Sequence, residues 1–138
     1  MTLLDLSILD QLRSAAADAA AHAYAPYSHF YVGAALLLDD GSIVTGCNVE
    51  NMSYGLTSCA ERNALFRAIS EGGPGRRIRA IAIANRNGAA SPPCGACRQV
   101  MSEFVTADAM VCFPGEQGPE TRPFAELFPF GFALEPRG

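Results

Sequence analysis

Three thiols, one carboxylate and two guanidiniums fall in two short stretches of this chain. These are Cys59-Ala60-Glu61-Arg62 and Pro93-Cys94-Gly95-Ala96-Cys97-Arg98-Gln99, with Cys94 35 residues after Cys59. Zinc takes thiolate or imidazole ligands in a tetrahedron, and a catalytic site keeps three protein ligands and leaves the fourth position to water. Cys94 and Cys97, three apart at a helix start, can reach one ion, and Cys59 is the third candidate ligand. His22 and His29 lie away from the cysteine stretches, so three ligands without an evident fourth point to an open site. Thiolates at helix N-termini are stabilised by unpaired amides and the helix dipole. Three thiolates on a divalent ion leave one excess negative charge. Arg62 and Arg98, within a helical turn of the ligands, are expected to offset it by donating hydrogen bonds to sulfur. Glu61, two residues after Cys59, does not share that ligand's direction and suits a general base for metal-activated water.

Each piece also has a plainer reading. Ser58-Cys59-Ala60-Glu61 fits a capping box, with Ser58 as N-cap and Glu61 reaching back. A pair of cysteines three apart is often redox-active or simply buried. A structural zinc would want a fourth protein ligand, for which Cys47 or Cys112 could serve. Both sit in apolar strands, where a thiol behaves as a small hydrophobe.

The elements that must position these residues follow from the pattern. An alanine-rich helix is expected from Leu6 to Ala25, stopped by Pro26. Strands are expected over Tyr31–Leu38 and Ile43–Val49, joined by the turn Asp39-Asp40-Gly41-Ser42. By alternation Asn48 and Glu50 share one face at the strand end, a place to hold hydroxyl groups. Helices are expected over Ser58–Glu71 and Cys94–Phe104, and strands over Ile78–Asn85 and Ala109–Phe113. A short edge strand at Glu120–Arg122 and a helical turn at Phe124–Phe128 complete the list. Strands alternating with helices indicate an α/β fold, with the sheet parallel in its later part and antiparallel at the hairpin.

The 138 residues sit at the usual size of one domain, 1–138, and 49% are hydrophobic, which argues for a packed core. The formal net charge is −4 and no lysine or arginine run occurs, so nucleic acid is not an expected partner. No apolar run approaches a membrane span of ~20 residues. Met1-Thr2-Leu3-Leu4-Asp5 lacks the basic segment of a leader, so a cytoplasmic protein with reduced thiols is expected.

Taken as a set, the motifs resemble a known family. Zinc deaminases show a histidine or cysteine, one residue, a glutamate, and later Pro-Cys-x-x-Cys. This chain has Cys59-Ala60-Glu61 and Pro93-Cys94-Gly95-Ala96-Cys97. Tyr24-Ala25-Pro26-Tyr27-Ser28, Phe30-Tyr31-Val32-Gly33-Ala34-Ala35-Leu36, Gly46-Cys47-Asn48-Val49-Glu50-Asn51 and Cys97-Arg98-Gln99 are similar, in order, to segments of the small bacterial-type cytidine deaminases.

The resemblance implies a three-layer αβα sandwich around a five-stranded mixed sheet, and a homotetramer with shared active sites and one zinc per subunit. It makes Cys59, Cys94 and Cys97 the ligands and Glu61 the proton shuttle. It assigns Asn48 and Glu50 to ribose hydroxyls, Phe30 to the nucleoside pocket and the Ala60 amide to the base carbonyl. Tyr54 and Phe132 would complete a pocket across subunit boundaries. The implied reaction is deamination of cytidine and 2′-deoxycytidine in pyrimidine salvage. The runner-up is a modified aminopyrimidine nucleoside such as blasticidin S, against which the ribose-type Glu50 stands.

The chain departs from the family in Ser91-Pro92-Pro93-Cys94, where one proline is added to the stretch whose backbone carbonyl is expected to receive the leaving amino group. Tyr31 and the C-terminal Phe128 and Phe130 are also departures that bear on which nucleoside fits. Two other classes make different predictions. A nucleic-acid editing deaminase would want a basic groove. A zinc-stabilised binding module would release no ammonia and would want four protein ligands.

Overall fold

Strand β1, Val32–Leu38, is buried along its whole length, and the rest of the fold is arranged on its two faces. In the computed structural model, which describes residues 5–134, β1 is the second strand of one five-stranded sheet of order β2-β1-β3-β4-β5. The partners are β2, Ile43–Cys47; β3, Ile78–Asn85; β4, Val105–Gly115; and β5, Gly118–Pro123. Only β3 and β4 run parallel, as a strand–helix–strand crossover requires; the other neighbours are antiparallel. The leader reading of Met1–Leu4 lies outside the described residues. No helix among them is long and apolar enough to cross a membrane.

Alternation along β1 sorts the core into two layers. Ala34, Leu36 and Leu38 face helices α2 (Ala60–Gly72) and α3 (Gly95–Ser102), together with Ala64, Leu65, Cys97 and Met101. Ala35 and Leu37 face helix α1 (Leu6–Ala20), with Leu9, Leu12 and Ala16. This is the expected αβα sandwich. Two glycines set how closely helices approach the sheet. A Cβ at Gly33 would stand 1.9 Å from the Ala16 carbonyl oxygen, and one at Gly46 would stand 2.4 Å from the Ala64 amide nitrogen. Helices α1 and α2 therefore cross the sheet at positions that admit no side chain.

Several boundaries differ from expectation for tertiary reasons. Helix α1 stops at Ala20 rather than Ala25, because Tyr24 is drawn into a bridge with Val49. Strand β2 stops at Cys47, since Val49 pairs instead with Tyr24 and Ser58. Strand β4 begins at Val105 rather than Ala109, β5 spans six residues, and Phe124–Leu127 forms one helical turn, α4.

Candidate active site

Two helix N-termini meet on one side of the sheet. Cys59 is the N-cap of α2, and Cys94 is the N-cap of α3, its Sγ accepting from the Cys97 amide at 3.4 Å. Asn63 fixes the start of α2 to the end of β2. Its Nδ2 donates to the Cys47 carbonyl at 2.8 Å, and its Oδ1 accepts from the Ser58 hydroxyl at 2.7 Å. That bond corrects the capping-box reading: Ser58 lies outside the helix and turns to Asn63, and Cys59 takes the cap position.

The sulfurs of Cys59, Cys94 and Cys97 all lie within 4.8 Å of one another, and Cys59 Sγ to Cys94 Sγ is 3.7 Å. Zinc–sulfur bonds of ~2.3 Å at tetrahedral angles set sulfurs about 3.8 Å apart. The donor set therefore fits zinc. Cys47, partly buried in β2, and Cys112, buried in β4, are not members of this group, and Cys112 packs in the α1 layer. No fourth protein ligand joins the three sulfurs among the described residues.

The electrostatics single out Cys59 as the first thiolate. A hydrogen bond from the Cys97 thiol holds it at about 5; burial opposes this, and the Arg62 guanidinium assists. Cys97 is pushed up, chiefly because it keeps the proton shared with Cys59, and burial adds to this. Loading a metal therefore displaces a proton from this pair. Arg62 donates to Cys59 Sγ at 3.2 Å, as the sequence led us to expect, and that bond raises the guanidinium's own pKa. Its Nε is buried and finds no acceptor among the described residues.

Arg98 does otherwise. Its Nε donates to the Pro93 carbonyl and its NH1 to the Leu127 carbonyl, both at 2.8 Å, rather than to sulfur. A planar fork can satisfy two backbone carbonyls at once, and here it ties the loop before Cys94 to α4. Glu61, in the first turn of α2, is only 5% exposed. Burial raises its pKa, and the Cys59 charge adds to that rise.

Asn48 and Glu50 both turn to segment 27–32. Asn48 is buried; its Oδ1 accepts from Val32 N at 2.9 Å and its Nδ2 donates to the Phe30 carbonyl at 2.8 Å. Glu50 accepts from the amides of Tyr27 and Ser28 at 3.0 and 3.1 Å and from the Ser28 hydroxyl. The Ser28 hydroxyl bond, ahead of the amide bonds, lowers the Glu50 pKa. Phe30 packs against the same core cluster as Ala60, Cys59 and Cys97. Beside Glu50 opens a cavity of about 400 Å3 walled by Tyr27, Ser28, Asn51, Tyr54 and Thr57. A larger one, about 570 Å3, lies at the β4–β5 turn and touches Pro92 but none of the three cysteines, so size does not mark the chemistry.

Tyr54 and Phe132 are 76% and 67% exposed. Tyr54 packs edge-on to Tyr27 at 6.2 Å. Phe132 lines a cavity with Ser102, Thr106 and Phe128. Within one chain neither side chain joins the sulfurs. Asn63 and Ser28 carry much of the positioning and escaped the sequence reading. Short polar residues in loops and first turns are common, and only their partners distinguish them.

Residues 7–113 match the model of the cytidine and deoxycytidylate deaminase zinc-binding region. The chain belongs to that family. The cytidine deaminase of Halalkalibacterium halodurans is 53% identical over 114 residues, which is 82% of this chain and 85% of that protein. That of Mycobacterium tuberculosis is 45% identical over 126 residues, covering 91% and 90%. The crystal structure of the M. tuberculosis enzyme superposes with a TM-score of 0.79 at 45% identity, over 91% of this chain and 98% of that one. The Burkholderia pseudomallei cytidine deaminase gives 0.80 at 46% identity, over 89% and 98%. The five-stranded mixed sheet is the fold these deaminases share, and a deaminase with a zinc-binding region is the class to which this chain is assigned.

Proposed function

We propose that the chain, as one catalytic unit of residues 1–138, hydrolyses cytidine and 2′-deoxycytidine to uridine and 2′-deoxyuridine with release of ammonia. The observation that carries this reading is the three-sulfur cluster at two helix starts, with buried Glu61 two residues beyond Cys59. Cys59, Cys94 and Cys97 would hold one zinc per subunit, which when bound supplies a water activated for attack at C4 of the base. Glu61 takes the first proton of that water and hands it to ring N3. It then takes the second, from the hydroxyl now on C4, and gives it to the amine, which leaves as ammonia while C4 becomes a carbonyl carbon. The raised pKa of Glu61 suits a group that must both take and give a proton near neutrality. Arg62 tempers the charge of the thiolates.

The Ala60 amide, at the first turn of α2, has no acceptor within its own helix, and in this reading it donates to the base carbonyl. The Pro92 carbonyl receives the leaving amino group, and Phe30 walls the base. Asn48 and Glu50 keep capacity for ribose hydroxyls. The Asn48 amide has two N–H donors and uses one on Phe30, and the Glu50 carboxylate has about four acceptor sites and uses three.

Tyr54 and Phe132 belong in this reading to pockets shared between subunits of a homotetramer. Their exposure supports it, as does an exposed apolar surface that also includes Tyr24, Val49, Met52 and Leu56. The biological role would be pyrimidine salvage in the cytoplasm. The test is metal content with ammonia release over cytidine, 2′-deoxycytidine and blasticidin S. One zinc per chain with turnover of the two plain nucleosides is expected. Turnover confined to blasticidin S would refute the substrate assignment.

A further inference from the structure

Segment 28–32 carries Phe30 between two residues, His29 and Tyr31, whose backbone is gripped by the loop after β3. Asn87, in the loop after β3, accepts from the Tyr31 amide through Oδ1 at 3.0 Å and donates from Nδ2 to the His29 carbonyl at 2.8 Å. The next residue back, Arg86, donates its amide to the Tyr31 carbonyl at 3.0 Å. His29 sits at φ 57, a conformation that most L residues avoid, so something must hold it there.

Asn87 is itself held. Its amide donates to Asn85 Oδ1 at 3.0 Å, the Asn85 Nδ2 donates to the Ala89 carbonyl at 2.8 Å, and Gly88 turns the loop at φ 67. Asn48 grips the same segment from the other side, at Phe30 O and Val32 N. The backbone of residues 29–32 is therefore clasped by two side-chain amides, Asn87 at His29 O and Tyr31 N and Asn48 at Phe30 O and Val32 N.

We propose that Asn87 is a positioning residue that sets Phe30 against the nucleoside. The assignment rests on the reading of Phe30 as a pocket wall. Asn87 touches neither the sulfurs nor Glu61, so its loss should alter how the nucleoside is held and leave the proton chemistry intact. A group that only maintains the fold would lower stability without separating KM from kcat.

The experiment measures KM and kcat for cytidine, zinc per chain and Tm in the intact protein, for Asn87→Ala, Asn87→Asp and Phe30→Ala. Asn87→Ala removes both bonds. Asn87→Asp keeps the acceptor for Tyr31 N–H and removes the donor to His29, so it remains readable if the alanine variant does not fold. Each Asn87 variant is expected to raise KM about fivefold, with kcat within about threefold of the parent and zinc unchanged, the loss of one or two exposed hydrogen bonds. An unchanged KM in both Asn87 variants, with KM raised in Phe30→Ala, overturns the inference and leaves the pocket reading standing. An unchanged KM in all three overturns both. Loss of zinc in either Asn87 variant overturns the inference too, since it would place the effect on the Cys94 loop.

Discussion

Gly46→Ala should inactivate the enzyme through a helix it does not belong to. The new Cβ would stand 2.4 Å from the Ala64 amide nitrogen, 2.8 Å from the Ala60 carbonyl oxygen and 2.9 Å from Ala64 Cα. All three atoms are α2 backbone, so no side chain can turn aside. Restoring an ordinary contact distance requires α2 to retreat by roughly 1 Å, at a cost of ~2 kcal/mol for overpacking. With unfolding entropy of ~2.1 cal/mol/K per residue, that lowers Tm by about 7 °C in a chain of this size.

The first turn of that helix carries Glu61, and its N-cap is Cys59. A displacement of ~1 Å at reacting groups costs on the order of 100-fold in rate. The control is Leu12→Ala, fully buried in the α1 layer on the opposite face of the sheet. It should cost ~2–5 kcal/mol as a cavity. Its kcat should nevertheless stay within about twofold of the parent. The assay is kcat for cytidine, measured 15 °C or more below each variant's Tm (a roughly chosen margin). Parent-like kcat in Gly46→Ala, or an equal loss in Leu12→Ala, would refute the claim that α2 placement, and not general stability, sets the rate.

Two further outcomes follow from the site. Glu61→Gln should retain one zinc per chain and lose at least ~100-fold in kcat, the usual share of a positioned acid/base; near-normal turnover would remove Glu61 from the proton path. Glu50 has a folded pKa below its unfolded value, so its contribution is present above the unfolded pKa of ~4.3 and lost as pH falls through the folded pKa. Glu50→Gln should therefore lower stability near neutrality and flatten the acid limb below about pH 4.3 in urea melts taken against pH. An acid limb unchanged from the parent would show that the Ser28 and Tyr27 bonds do not matter to the fold.

What the sequence determined by itself was the chemistry that is local along the chain. Cys94 and Cys97 three apart, Cys59 before Glu61, and Arg62 one turn beyond Cys59 have relations set by helix geometry, which a short stretch already encodes. A sheet flanked by helices was equally legible from the order of strands and helices, and the unbroken apolar run Val32–Leu38 fits a strand covered on both faces.

Tertiary structure decided the rest. Arg98 turns to Pro93 and to Leu127, 29 residues away, where backbone carbonyls compete with sulfur for its fork. Ser58 leaves the cap position for Asn63, and β2 ends two residues early because Tyr24 and Ser58 claim Val49. Asn48 and Glu50, expected to stand side by side on a strand, converge instead on segment 27–32 from the end of one. The division has one physical cause. A thiol or carboxylate on a helix start has its direction fixed by its own backbone. A long side chain such as that of Arg98, or a hydrogen-bonding side chain in a loop, takes whichever partner folding brings within 3 Å or so, and neither helix nor strand geometry names that partner in advance.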